Sequence, residues 1–111
     1  MNVQRLRELI RIRQHLHETY ASEVPGVLEK HWKELTRLLV EDMNATVAYL
    51  KSSEVTADEI ADISEVFDDV VDACPSLEFI KAARLAARRF PKTCQDYNIF
   101  PLLDSAEKMI H

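Results

Sequence analysis

VPGVLEKHWKELTRLLVEDMNATVAYLK, residues 24 to 51, contains the only glycine of the chain and its longest regular apolar stripe. Leu28, Trp32, Leu35, Leu39, Met43, Val47 and Leu50 follow one another at steps of three or four residues, the spacing that keeps side chains on one side of an α-helix. The stretch predicts a helix of about six turns with these residues, Trp32 included, facing a core. Residues Asn44 to Thr46 include weaker helix formers and mark where it should bend or split. Ahead of it, Pro25 disfavours helical geometry at Val24 and Gly26 permits a bend, so SEVPG separates this helix from an earlier one.

Gly26 being alone also bounds the class of protein. Hairpin turns, glycine-rich phosphate loops and nucleophile elbows all call for residues that take positive φ at no cost. An all-α fold follows. N-terminal to the spine, Val3, Leu6, Ile10, Leu16 and Tyr20 predict a first helix from Asn2 to Tyr20. On the C-terminal side, SSEVTADE reads as a linker and then a capping box, with Thr56 and Glu59 exchanging hydrogen bonds with each other's backbone amides. A third helix starts there with Ile60, Ile63, Phe67 and Val70 or Val71 inward.

Cys74 and Pro75 end that helix and open a fourth, whose apolar face is Ile80, Ala83, Ala87 and Phe90 and whose basic line is Lys81, Arg84 and Arg88. Pro91 closes it. Beyond the linker KTCQDYN, Asn98 or Phe100 is expected to cap a last helix that begins near Pro101 and carries Leu103, Ala106 and Ile110. The expected architecture is one domain over residues 1–111, with about five helices in antiparallel pairs, forming a compact bundle or a short curved helical stack. The small residues of AARLAA allow the fourth helix a close approach to a neighbour.

A chain of 111 residues with 47% hydrophobic content can bury a core without staples. No apolar run approaches the roughly 20 residues that cross a bilayer, and Arg interrupts the N-terminal stretch throughout, so a soluble, cytoplasmic protein is expected. Cys74 and Cys94 lack CxxC spacing and suit small, buried, reduced thiols. A net charge of −5 argues against direct binding of nucleic acid.

Reaction chemistry is sparse. His15 and His17 are two residues apart and point to different sides of a helix, His31 and His111 have no convergent partner in sequence, and no ExxH pattern is present. Neither a metal nor another cofactor is expected. Acidic residues without a glycine turn do not make a calcium loop, and carboxylates sharing one wet face lack the opposed environments of an acid–base pair. The chain is expected not to be an enzyme.

The most distinctive charge pattern lies in residues 54 to 78, which hold nine carboxylates and no Lys or Arg. Asp58, Asp62, Glu65, Asp69 and Asp72 follow at steps of four, three, four and three and predict one anionic helix side. Residues 81 to 92 hold five bases and no acids, so the fourth helix can offset part of that charge. Nine less five still leaves −4 of the chain's −5 here. Such a field steers a basic partner toward the surface. Exposed aromatics beside it, among Tyr49, Tyr97 and Phe100, would supply the anchors. Reversing Asp62, Glu65 and Asp69 to Lys is expected to leave the helices intact.

The paired helices DEIADISEVFDDVVDACPSLEFIKAARLAARRF, residues 58–90, with NIFPLLDSAEKMI, residues 98–110, resemble the helical immunity proteins of bacterial contact-dependent growth inhibition and polymorphic toxin systems. The resemblance implies a protein that neutralises a cognate toxin in a 1:1 complex by covering its active site. The toxin would be a basic nuclease domain, and no membrane would be involved. The rival expectation is a helical regulatory or structural module, a homodimer in which the acidic helix of one copy meets Arg5, Arg11, Arg84 or Arg88 of another.

Overall fold

The computed structural model describes residues 1–18 and 24–110, and these are helical, with no strand among the described residues. The helices are α1 (Val3–Glu18), α2 (Val27–Glu41), α3 (Met43–Lys51), α4 (Ala57–Ser64), α5 (Phe67–Ala73), α6 (Leu77–Arg88), α7 (Pro91–Tyr97) and α8 (Ile99–Glu107). The fold class is all-α as expected, but among the described residues eight helices stand where about five were anticipated. Tyr20 and His111 lie outside the described residues.

Two of the extra helices come from breaks inside expected ones. The spine divides at Asp42, whose backbone leaves helical geometry at φ −141° and ψ 87° and whose carboxylate accepts from the Ala45 amide at 3.2 Å. A side chain that caps its own successor offers the backbone an alternative to continuing. Thr46 completes the break by donating its hydroxyl to the Leu39 carbonyl at 2.7 Å. The second break follows Ser64, where the Glu65 and Val66 amides bond three residues back, to Asp62 and Ile63 at 3.2 and 3.0 Å. No Gly or Pro stands there. Val66 and Phe67 are both buried, and Phe67 meets Phe79 of α6 edge to face at 6.1 Å, so packing decides the turn.

The expected linker KTCQDYN is instead α7, with Pro91 in its first turn, where no amide donor is needed. Asn98 then takes the left-handed conformation, φ 53°, and joins α7 to α8 in a single residue. Asn tolerates that region better than most residues. The capping box is present as expected: Glu59 N donates to Thr56 Oγ1 at 3.2 Å, and Thr56 N donates to Glu59 Oε1 at 3.0 Å. Ser76 caps α6 through the Phe79 amide.

The core is one contiguous cluster to which every helix contributes. Leu6 and Ile10 face it as expected, together with Leu9; Leu35, Leu39 and Leu50 are fully covered. Full burial of such a side chain stabilises by roughly 1.5–3 kcal/mol. Trp32, Met43, Val47 and Phe90 are only half-buried at its margin. α6 packs chiefly against α3 and α8, and Ala82, Ala83, Ala86 and Ala87 are all fully buried, which realises the close approach read from AARLAA. Extents of 36 × 28 × 26 Å and a radius of gyration of 13.2 Å match a compact body of this length. No described helix is long and apolar enough to cross a membrane.

The placement of α4 corrects the sequence reading most. It packs against α1, α6, α7 and α8, and every residue from Glu59 to Ser64 is buried. It is an internal helix, not the first half of a surface helix with a wet acidic side.

Candidate functional site

Because α4 is internal, its carboxylates are read best by what each one touches. Glu59 is buried and fully engaged: it accepts from Tyr49 Oη at 2.5 Å, from the Thr56 amide and from Arg7 Nε at 3.3 Å. Burial first, and the bond to this carboxylate second, push the Tyr49 hydroxyl up to about 12. Tyr49 is thus a buried structural donor and not the exposed interface aromatic expected.

Asp62 is the second correction. Its side chain is 5% exposed, and Oδ2 lies 3.3 Å from Nε2 of His31, itself buried on α2. A lysine at position 62 would place a cation beside a buried imidazole, so the expectation that charge reversal is harmless there does not hold. His31 had a legible signal: it lies four residues before Leu35, on the buried side of α2. Oδ1 of Asp62 and Nδ1 of His31 have no hydrogen-bond partner among the described residues.

Asp62 also lines a cleft of about 490 Å³ between α1 and α4, to which Tyr97 of α7 contributes. Asp58 and Glu65 line the same cleft, so three of the five expected acidic residues and one expected aromatic do converge. Across from them stand Arg13, Gln14 and Glu18 of α1, which sequence reasoning did not single out. Gln14 Nε2 donates to Asp58 at 3.4 Å, and Arg13 donates to Glu65 at 3.2 Å. The other oxygen of Glu65 accepts from the Trp32 indole at 2.6 Å. Arg13 Nε is buried without a partner.

Trp32 connects this cleft to a second groove of about 600 Å³ between α2 and α5, which it lines with Lys33, Arg37, Val40, Asp69 and Ala73. Asp69, Asp72 and the neighbouring Asp68 are exposed on α5, and none of the three has an ion-pair partner among the described residues. The bases of α6 do not neutralise them. Arg84 pairs with Asp104 and Glu107 of α8, both at 2.8 Å; Lys81 pairs with Glu78; and Arg89 donates to the carbonyls of Ser52 and Ser53. Phe100 is half-buried against the core, whereas Tyr97 is 51% exposed at the cleft.

Among the described residues no three His, Cys, Asp or Glu side chains gather closely enough to hold a metal ion. Both cysteines are free. Cys94 is buried, donates to the Ala87 carbonyl at 2.9 Å, and has its thiol pKa pushed up by burial. Cys74 is half-exposed, a departure from the buried thiol expected.

No protein-family model, no curated protein and no solved structure matches this chain.

Proposed function

We propose that this chain is an immunity protein of a bacterial contact-dependent growth inhibition or polymorphic toxin system, which binds a cognate toxin 1:1 and covers its basic active-site cleft. The observation that carries this reading is the exposed carboxylate surface of α5, whose Asp68, Asp69 and Asp72 have no ion-pair partner among the described residues, linked through Trp32 and Glu65 to an acidic cleft. Asp68, Asp69 and Asp72 repel one another at a cost of a few tenths of a kcal/mol per neighbouring pair. Folding gains nothing from that, whereas association with a basic partner does. A nuclease must present a basic cleft to phosphate, and an anionic helix competes for it in place of nucleic acid. The homodimer reading loses two of its four arginines, because Arg5 is already paired with Glu8 and Glu34, and Arg84 with Asp104 and Glu107, while Arg11 and Arg88 are exposed and keep it open.

The test is co-expression with the product of the gene directly upstream, which this reading expects to carry a basic nuclease domain. The expected result is a 1:1 complex on size-exclusion chromatography, an inhibited nuclease, and an association rate that falls steeply with salt. A nuclease that stays active in the presence of excess chain, or a chain that elutes only as a self-dimer, would overturn the reading.

A further inference from the structure

The groove between α2 and α5 differs from the acidic cleft in that its two walls carry opposite charge. The α2 wall has a half-buried row, Trp32, Thr36 and Val40, beside an exposed row in which Lys33 and Arg37 follow Glu29. On the α5 wall stand Asp69 and Ala73, and the same helix also exposes Asp68 and Asp72. Lys33 and Arg37 have no ion-pair partner among the described residues, and neither have the three aspartates. Opposite charges thus line one groove without meeting across it. Trp32 lies between them with its indole already held by Glu65 at 2.6 Å, so the ring is fixed before anything docks. Tryptophan is enriched among the residues that anchor interfaces.

We infer that through this groove the free chain pairs with a second copy of itself about a two-fold axis, α2 of each copy lying against α5 of the other. A partner of one sign fits the groove poorly. A basic helix seated in it meets Lys33 and Arg37, and an acidic one meets Asp69. The occupant has to carry acids on one flank and bases on the other, with an apolar strip between, and the α2–α5 surface is itself such an arrangement. A two-fold axis sets each wall against its opposite twice over, Lys33 and Arg37 against Asp69 and Asp72 in both directions, with Trp32 and Val40 at the centre. The pairing uses none of Arg5, Arg11, Arg84 and Arg88. With α5 only seven residues long, the contact belongs to the small, transient class of interface. It does not depend on the toxin reading, because a more basic partner competes with the second copy for the same α5 carboxylates.

The test is sedimentation of the full chain over a concentration series, with charges exchanged between the walls. The native chain should form a dimer with a Kd of about 10–100 μM at low salt, weakened about tenfold at high salt. Lys33→Glu with Arg37→Glu makes both walls acidic, and Asp69→Lys with Asp72→Lys makes both basic, so each double variant should be monomeric alone. Mixed in equal amounts, the two should restore a 1:1 dimer, since every contact again joins opposite signs. A native chain that stays monomeric at about 500 μM, a dimer that both double variants leave intact, or a mixture that does not pair overturns the proposal. Should a charge-exchanged variant fail to fold, Ala73→Trp, at an exposed position in the groove, carries the test: loss of the dimer supports the pairing and an unchanged Kd overturns it. The upstream gene product separates the two readings. A monomer that inhibits it removes the self-pairing and keeps the inhibitor, and gives the groove to that partner if Ala73→Trp blocks the inhibition. A dimer that leaves it active keeps the self-pairing and removes the inhibitor.

Discussion

α4 and α6 touch, and each buries six residues, but the chemistry they bury is opposite. All six on α6 are apolar: Phe79, Ile80, Ala82, Ala83, Ala86 and Ala87. Half of those on α4 are polar: Glu59, Asp62 and Ser64 accompany Ile60, Ala61 and Ile63. α6 is the helix that packing alone would select. α4 is not, and its polar residues differ in how well they are compensated. Ser64 bonds the Ala61 carbonyl and Glu59 has donors on both oxygens, so these two are ordinary structure. Asp62 alone keeps an unpartnered atom, and it does so at the cleft.

The sharpest way to break this contrast is Asp62→Lys, which removes the carboxylate facing His31 and buries a cation. A loss of about 3–5 kcal/mol is expected in urea denaturation. Asp69→Lys on exposed α5 should change stability by no more than about 0.5 kcal/mol. Similar small effects at both positions would mean that α4 is not internal.

Next in size is Tyr49→Phe, which strips a donor from the buried Glu59 carboxylate and should cost about 1.5–3 kcal/mol. This site also has a pH signature. The Tyr49 hydroxyl is pushed up to about 12 from an ordinary 10.0, so the unfolded chain loses that proton first. The stabilisation is present in full below pH 10 and is lost as pH rises toward 12, at a slope of at most about 1.4 kcal/mol per pH unit. Tyr49→Phe should flatten that window in a series of denaturation curves, and an unchanged slope would detach Tyr49 from it.

On the other helix, Ala83→Leu forces extra volume into a fully packed position and should cost about 1–3 kcal/mol by thermal denaturation. Neutral behaviour there would mean that α6 is less closely packed than its alanines indicate. The smallest stability effect belongs to α5. Converting Asp68, Asp69 and Asp72 together to Asn should leave stability within about 0.5 kcal/mol while slowing association with the proposed basic partner at low salt, with the difference fading at high salt. Association kinetics that do not change would take α5 out of recognition.

Much of this was legible in the sequence, for reasons that can be located. Helical steps and a lone glycine carry the fold class, the capping box at Thr56 and Glu59 places the start of α4, and AARLAA gives the packed side of α6. The breaks were harder. The weaker helix formers from Asn44 to Thr46 predict a break there, but it falls at Asp42, a capping residue type whose carboxylate takes the Ala45 amide. At Glu65 and Val66 there was no local signal, because the turn is set by Val66 and Phe67 reaching buried positions. For the site, equal spacing grouped Asp62 with surface acids, since periodicity assigns a side of a helix and not the depth of the helix in the molecule. Its partner gave the better clue: a histidine among leucines on α2 needs something polar opposite.

The two thiols differ in a way that makes the molecule easy to instrument. Cys94 is held as a covered, protonated thiol against Ala87, while Cys74 caps the end of α5, half-exposed and two residues after Asp72. A maleimide dye should therefore attach at a single position without mutagenesis, beside the carboxylates that a basic partner would approach. The native chain then carries its own reporter, and any partner that approaches α5 can be timed by fluorescence with its carboxylates unaltered.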